Sequence, residues 1–441
     1  MTKALQRFLA DHETFAGNGG GAAPSWLKDL RAGALARFRT LGLPTTKQEE
    51  WRLTSLQELA GTAFALPVSP RAVAPSAKEI KRYEICEAGR HMVVFVNGRY
   101  SGALSSVAGL PAGVRVGSIA DALKTDGELV RAHLASVAPE SFPFASLNTA
   151  FAYDGGFVYV PAGVVMEEPV QFLYLSVPGT EPTVSHPRSL VVVEARGRVA
   201  VVETFAGHGA GVYLTNAVTE IVVGDEGRAD VYRIQRESET AFHLATTATR
   251  QGRSSTVQLH PVVLGAALAR HDINILLDGE QGLALLNGLY ILGGRQHADH
   301  HTTIDHAKPH CESHEYMNGV LDGHSHGVFN GRIIVRPGAQ RTDSKQTNNN
   351  LVLSEEARAD SQPQLEIYAD DVKCTHGATL GPIDERAMFY LTSRGISANE
   401  ARSLLTYGFG AEIVERMEIA ALQAQLDRMI RRRLLGRESA A

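Results

Sequence analysis

The residues best able to do chemistry lie close together at residues 366–381, which read E-I-Y-A-D-D-V-K-C-T-H-G-A-T-L-G. Residues 367–372 have the composition of a strand, and Gly377 and Gly381 punctuate its end. Cys374 and His376 stand two positions apart. A strand continuing that far sends both side chains from one face, with Lys373 and Thr375 on the other. A thiolate beside an imidazole is a soft-to-borderline ligand pair suited to iron or zinc. The same spacing also fits a small buried cysteine that packs as a hydrophobe. Two donors fall short of the roughly four protein ligands that a [2Fe–2S] or [4Fe–4S] cluster takes, so a cluster here needs a second chain.

Other chemistries find little support. No G-x-x-x-x-G-K-[ST] phosphate loop occurs, so the chain is not expected to bind or hydrolyse ATP itself. Between His297 and His326 lies a dense histidine tract: His297, His300, His301, His306, His310, His314, His324 and His326, with Cys311 inside it. His314-Glu315 lacks the second histidine of a zincin helix, and no Cys-x-x-Cys is present to complete a zinc site. Polar ladders between stacked strands are the structural reading of the tract, and a metal site is the other. Sugar chemistry needs convergent carboxylates, and Asp370 and Asp371, adjacent on a strand, face opposite ways.

The elements that must position Cys374 and His376 follow from the rest of the chain. At 441 residues it is too long for one small core. Its net charge of -5 excludes bulk binding to nucleic acid or anionic membrane. Arg431-Arg432-Arg433 reads as the solvated end of a helix. Three widely spaced cysteines (Cys86, Cys311, Cys374) argue for a reducing compartment. No apolar run is long enough to span a membrane, and the N-terminus lacks a signal-peptide core. A cytoplasmic protein is expected.

Residues 2–16 and 25–41 read as helices, separated by a glycine-rich joint at residues 17–21. Trp51 reads as an anchor of local packing. Residues 66–78, rich in Pro, Ala and Ser, read as a linker. Asn97-Gly98 is a strong hairpin signal after an apolar strand. A helical interlude around residues 119–136 follows. Asn148-Thr149-Ala150-Phe151 reads as punctuation between short strands.

From about residue 188 an apolar run, a glycine turn and another apolar run recur. Gly197, Gly227, Gly252 and Gly282 fall roughly 25–30 residues apart. Such a period signals a solenoid, in which each coil buries its apolar face only against its neighbours. The units are rich in Val, Ile, Leu and Thr, so they are strands, and stacked strands make a β-helix. A jelly roll or sandwich is the alternative. Asp384-Glu385-Arg386 opens the first of three C-terminal helices, which can cap the solenoid or offer a docking face.

Several long motifs occur in a fixed order: L-G-L-P-T-T-K-Q-E-E-W, N-T-A-F-A-Y-D-G-G, V-F-N-G-R-I-I-V-R-P-G-A-Q-R-T-D, the 366–381 stretch and D-E-R-A-M-F-Y-L-T-S-R-G-I. Over residues 24–420 the chain resembles the SufB/SufD family of iron–sulfur cluster assembly proteins, with wording on the SufD side. Thr375 stands where serine is common in the family.

The resemblance implies a mainly β protein with helical flanks. A right-handed parallel β-helix would span 91–381, with regular coils from about 140, between an N-terminal helical domain with linker (1–90) and a C-terminal helical domain (382–441). It implies a scaffold subunit, not an enzyme, in complex with SufB and the SufC ATPase, the latter docking on the C-terminal helices. It further implies a transient Fe–S cluster at the SufB interface, met by His376 with Cys374 at the same interface, and leaves flavin and a homodimer open. A SufB-like paralogue and a β-helix carbohydrate-active enzyme are the alternatives.

Overall fold

The computed structural model describes residues 2–17, 23–67, 75–85 and 90–435. Most of the glycine-rich joint, residues 68–74 of the expected linker, and Cys86 lie outside these. From Arg188 onward the chain winds as a parallel β-solenoid, its strands alternating between two sheets. Each strand pairs in parallel with the equivalent strand of the next coil. A coil advances 30 residues from Arg198 to Arg228, 28 to Thr256, 27 to Leu283, 29 to Glu312, 31 to Asp343 and 30 to Lys373. The pairing is that of stacked coils and not of an antiparallel jelly roll.

One corner of every coil repeats the same backbone device. Arg196, Glu226, Ser254, Gln281, His310 and Arg341 all have φ between 54° and 60°. Each donates its N–H to a carbonyl at the same corner of the next coil: Arg196 to Asp225 at 2.8 Å, Glu226 to Arg253 at 2.8 Å, His310 to Gln340 at 2.9 Å, Arg341 to Asp371 at 2.6 Å. The left-handed conformation, unfavourable for residues with a Cβ, is held because it aims an otherwise orphaned donor along the stack.

Three of the four glycines aligned in sequence, Gly197, Gly227 and Gly282, close these corners. Gly252 does not. Pairing of Arg228 with Thr256 puts Ser255 in that place, and Gly252 opens its turn three residues earlier. There a Cβ would meet the Asp225 backbone nitrogen at 2.9 Å.

The first end of the solenoid is closed by antiparallel strands. His91–Val96 joins the sheet beside Val170–Ser176 and turns back at Asn97-Gly98, with φ of 51° and 76°. Arg115–Ser118 closes the other sheet against Gly155–Val160. The helical interlude forms as expected, over Ile119–Thr125 and Gly127–His133.

Asn148-Thr149-Ala150, read as punctuation, instead ends the helix Pro143–Ala150. Proline at the first helical position and burial of the helix against the sheet outweigh the turn tendency of Asn-Thr. Asn148 Nδ2 donates to the backbone oxygens of Pro187 at 2.9 Å and Asn216 at 2.8 Å, so its polar side chain ties the helix to the coil.

Trp51 anchors more than local packing. The Arg270 guanidinium lies 3.8 Å over its ring and donates to the Glu50 oxygen and Asp299 Oδ2, both at 2.7 Å. Burial opposes ionisation of Asp299, but Arg270 and His301 overcome it and hold the carboxyl below the usual carboxylate range.

The C-terminal helices do not cap the open end. Ala398–Val414 and Ala420–Leu435 lie across the outer face of one sheet, burying Ile413, Leu422, Leu426 and Ile430 against Tyr232, Val262, Leu289 and Val320. The lumen between the sheets is filled in columns, one running Val201, Val231, Leu259, Leu286. Leu286→Ala is expected to cost about 2–5 kcal/mol, because the surrounding coils are pinned by their ladders and collapse poorly into the cavity. A urea titration followed by circular dichroism measures it.

Candidate functional site

Lys373–Gly381 is the last strand of its sheet and pairs only with Asp343–Val352. Arg358–Ile367 is the last strand of the other and pairs only with His326–Val335. Among the described residues, both strand edges at this end of the solenoid are unpaired. The strand expected over residues 367–372 is divided: Ile367 ends one strand, residues 368–372 turn the corner, and the next strand starts at Lys373. The corner bond from Arg341 to Asp371 fixes the break. Asp370 and Asp371 are both exposed on this turn, so the alternating-face argument made for them does not apply.

Cys374 and His376 do share one face. Their registered partners are Ser344 and Gln346, both fully buried, so that face is the lumen. Cys374 is half-buried and His376 is exposed, since no coil follows to cover them. The imidazole therefore leaves through the open end of the lumen, not through the side of a sheet. Burial, and then the Asp343 carboxylate, push the Cys374 thiol up. That disfavours the thiolate needed for metal binding.

Beneath His376 the lumen changes character. The apolar column ending at Leu286 continues as Glu315, Gln346 and His376. Gln346 Nε2 donates to Glu315 Oε2 at 2.7 Å. Burial pushes the Glu315 carboxyl up to about 7. Across the lumen Gly331 leaves room for the Gln346 amide, which a Cβ there would displace by meeting Nε2 at 2.3 Å. Nearby, Tyr290 Oη donates to Asn350 Oδ1 at 2.5 Å and Asn348 donates to the Met317 oxygen at 3.0 Å. Sequence reasoning missed Glu315 and Gln346. The available signal was an apolar repeat position turning polar in the final coils.

The histidine tract is dispersed by the same alternation. His300 and His306 point into the lumen, while His297, His301 and His326 lie on the outer face. Stacked partners account for several of them. His306 Nε2 lies 2.9 Å from Ser313 Oγ, His326 Nε2 lies 2.7 Å from Asp360, and the His297 and His326 rings meet at 4.7 Å. Among the described residues no three His, Cys, Asp or Glu side chains gather as a metal site. Residues 323–327 read G-H-S-H-G, the form of a nucleophile elbow. Here it joins strand to strand, with Ser325 buried in the turn, so the strand-to-helix geometry is missing.

Beside the open end lies a cleft of about 850 Å³ lined by Leu353, Ala357, Arg358, Leu380, Met388 and Arg402. It adjoins the helix Glu385–Ser393, which buries none of its residues and leaves Phe389 74% and Tyr390 57% exposed. No described helix is long and apolar enough to cross a membrane.

Two family models match the chain. Residues 176–409 match the SufBD core domain of the SUF system of FeS cluster assembly, and residues 20–172 match the SufBD N-terminal region. The chain belongs to the SufBD family of iron–sulfur cluster assembly proteins.

Among its relatives, a SufBD family protein of Synechocystis is 34% identical over 92% of this chain and 91% of its own length. The iron–sulfur cluster assembly protein SufD of Escherichia coli is 30% identical over 99% and 98%. SufD of Bacillus subtilis is 27% identical over 93% and 94%.

Glu315 makes a pH-dependent contribution whose sign is set by its raised value. The folded state holds the proton more tightly than the unfolded chain, so this contribution is fully present below about 4.5 and is lost as pH rises towards 7. Glu315→Gln, which cannot ionise, is expected to gain about 1–3 kcal/mol over wild type above pH 7. The gain should vanish near pH 4.5, as urea midpoints at the two pH values would record.

Proposed function

We propose that the chain is a SufD-type scaffold subunit of an iron–sulfur assembly complex, in which His376 supplies a ligand to the forming cluster with Cys374 beside it. The observation that carries this reading is the pairing of the two side chains on the last strand of an open solenoid, in a family of cluster assembly proteins. Two donors leave a cluster short of ligands, so a second subunit brings the rest.

The unpaired strands Arg358–Ile367 and Lys373–Gly381 offer that subunit backbone donors and acceptors with which to continue both sheets. A related SufB chain fits this edge, and a second copy of this chain is the other way to cover it. The imidazole is the favoured ligand because it stands exposed at the open end while Cys374 is half-buried, and a neutral imidazole binds iron in histidine-ligated clusters.

The chain acts in the cytoplasm as a scaffold, and ATP hydrolysis falls to SufC. SufC docks on the C-terminal helices, chiefly on the uncovered helix Glu385–Ser393. Residues 1–90 brace the solenoid, 91–381 carry the site, and 382–441 receive the ATPase.

His376→Ala is expected to leave the complex assembled but to bring iron and sulfide per complex to background after anaerobic reconstitution. His376→Cys should restore part of the loading, and Cys374→Ser should be milder. Wild-type loading in His376→Ala would remove His376 from the ligand set.

Docking is tested better by a point change than by deleting the C-terminal region, since two of its helices cover one sheet. Phe389→Asp should leave the melting temperature unchanged while weakening SufC binding by tenfold or more, about the cost of losing an interface anchor. Unchanged co-purification would exclude that helix face.

A further inference from the structure

Gln346 is the registered neighbour directly beneath His376, and both point into the lumen. Its side chain is fully buried, and its two polar atoms are treated differently. Nε2 donates back along the stack to Glu315 Oε2 at 2.7 Å, whereas Oε1 has no hydrogen-bond partner among the described residues. Above pH 7, where Glu315 is ionised, its oxygens can only accept, so Glu315 then fixes which end of the amide faces it. The amide is planar. With its nitrogen turned to the earlier coil, its oxygen is left without a partner beneath the strand that carries His376. Gly331 leaves room across the lumen for the amide in this position.

From this geometry we infer that Gln346 is a positioning residue. When the exposed His376 ring turns inward, Gln346 Oε1 accepts the N–H of one ring nitrogen, selecting the tautomer that presents the other, unprotonated nitrogen at the open end. Glu315 acts one coil further back by holding the amide in that orientation. Metal-binding histidines characteristically donate their second ring N–H to an oxygen, which fixes the tautomer and raises ligand basicity. The inference rests on His376 being a ligand, but its first consequence belongs to the free chain.

The test compares ring tautomers above pH 7 in the full-length chain with isotopically labelled histidine. Ring nitrogen–proton couplings report the tautomer, and His376→Asn identifies the resonances. Wild type should show one tautomer at His376. Gln346→Met, similar in volume but without an acceptor oxygen, should show a mixture. Glu315→Gln, which lets the amide turn over, should show a partial mixture. In the complex with SufB and SufC, Gln346→Met should raise the ferrous iron concentration for half-loading about tenfold or more, the range for losing such a partner.

An unchanged single tautomer in Gln346→Met overturns the proposal, as does a mixed tautomer with unchanged half-loading. Should Gln346→Met fail to fold, an unchanged tautomer in the isosteric Glu315→Gln overturns it equally. Loss of the ligand reading shows separately, as wild-type loading in His376→Ala, while the free-chain tautomers still decide what Gln346 does to the ring.

Discussion

Backbone pairing from coil to coil is the interaction on which the structure depends. Every solenoid strand satisfies the N–H and C=O groups of the strand before it and leaves its own to the strand after. The left-handed corner residues extend that rule to the turns, where a donor that a simple turn leaves idle is spent on the next coil. Such a ladder propagates but cannot end itself. The chain resolves the first end with antiparallel strands around residues 91–118 and leaves the last end unresolved. Cys374 and His376 sit where the ladder runs out.

Buried charge sets how the helices meet this ladder. Arg188 and Glu220 pair at 2.7 Å with almost no exposure. Arg188 also donates to Asn148 Oδ1 and Thr149 Oγ1, while Glu220 accepts backbone N–H groups from Ala135, Val137 and Ala138. Removing either partner would strand a charge, so the pair binds segments distant in sequence to one coil more firmly than apolar contact would. Inside the lumen, Glu203 accepts from Arg233 at 3.0 Å and from Ser189 and Thr219, filling a column position that apolar side chains take elsewhere.

Much of this was legible because a solenoid writes its period into the sequence. The spacing of Gly197, Gly227 and Gly282 predicted the coils, and Asn97-Gly98 predicted the hairpin. What misled were residues with two physical uses. Glycine serves both as the last residue of a corner and as the first, where coils approach closely, so Gly252 aligned with the wrong set. Asn148 looked like a turn residue but uses its side chain to satisfy backbone groups of another element. The site itself was half visible: two-residue spacing placed Cys374 and His376 on one face, but whether that face was lumen or surface depended on Ser344 and Gln346 one coil away. Glu315 lies some sixty residues before His376 and becomes its near neighbour only through two coils of register.

The two long C-terminal helices cross strands belonging to successive coils, touching Tyr232, Val262, Leu289 and Val320 in turn. A stack clamped in this way resists bending, because sliding any coil against the next would break a whole row of parallel hydrogen bonds together. The short helix Glu385–Ser393 follows directly on the last strand and packs on Ala398–Val414, so it is tied both to the clamp and to the end of the ladder. Any displacement between coils has to be taken up beyond the clamped ones, at the last, uncovered strands. The cysteine and histidine stand on the strand that the clamp leaves least constrained.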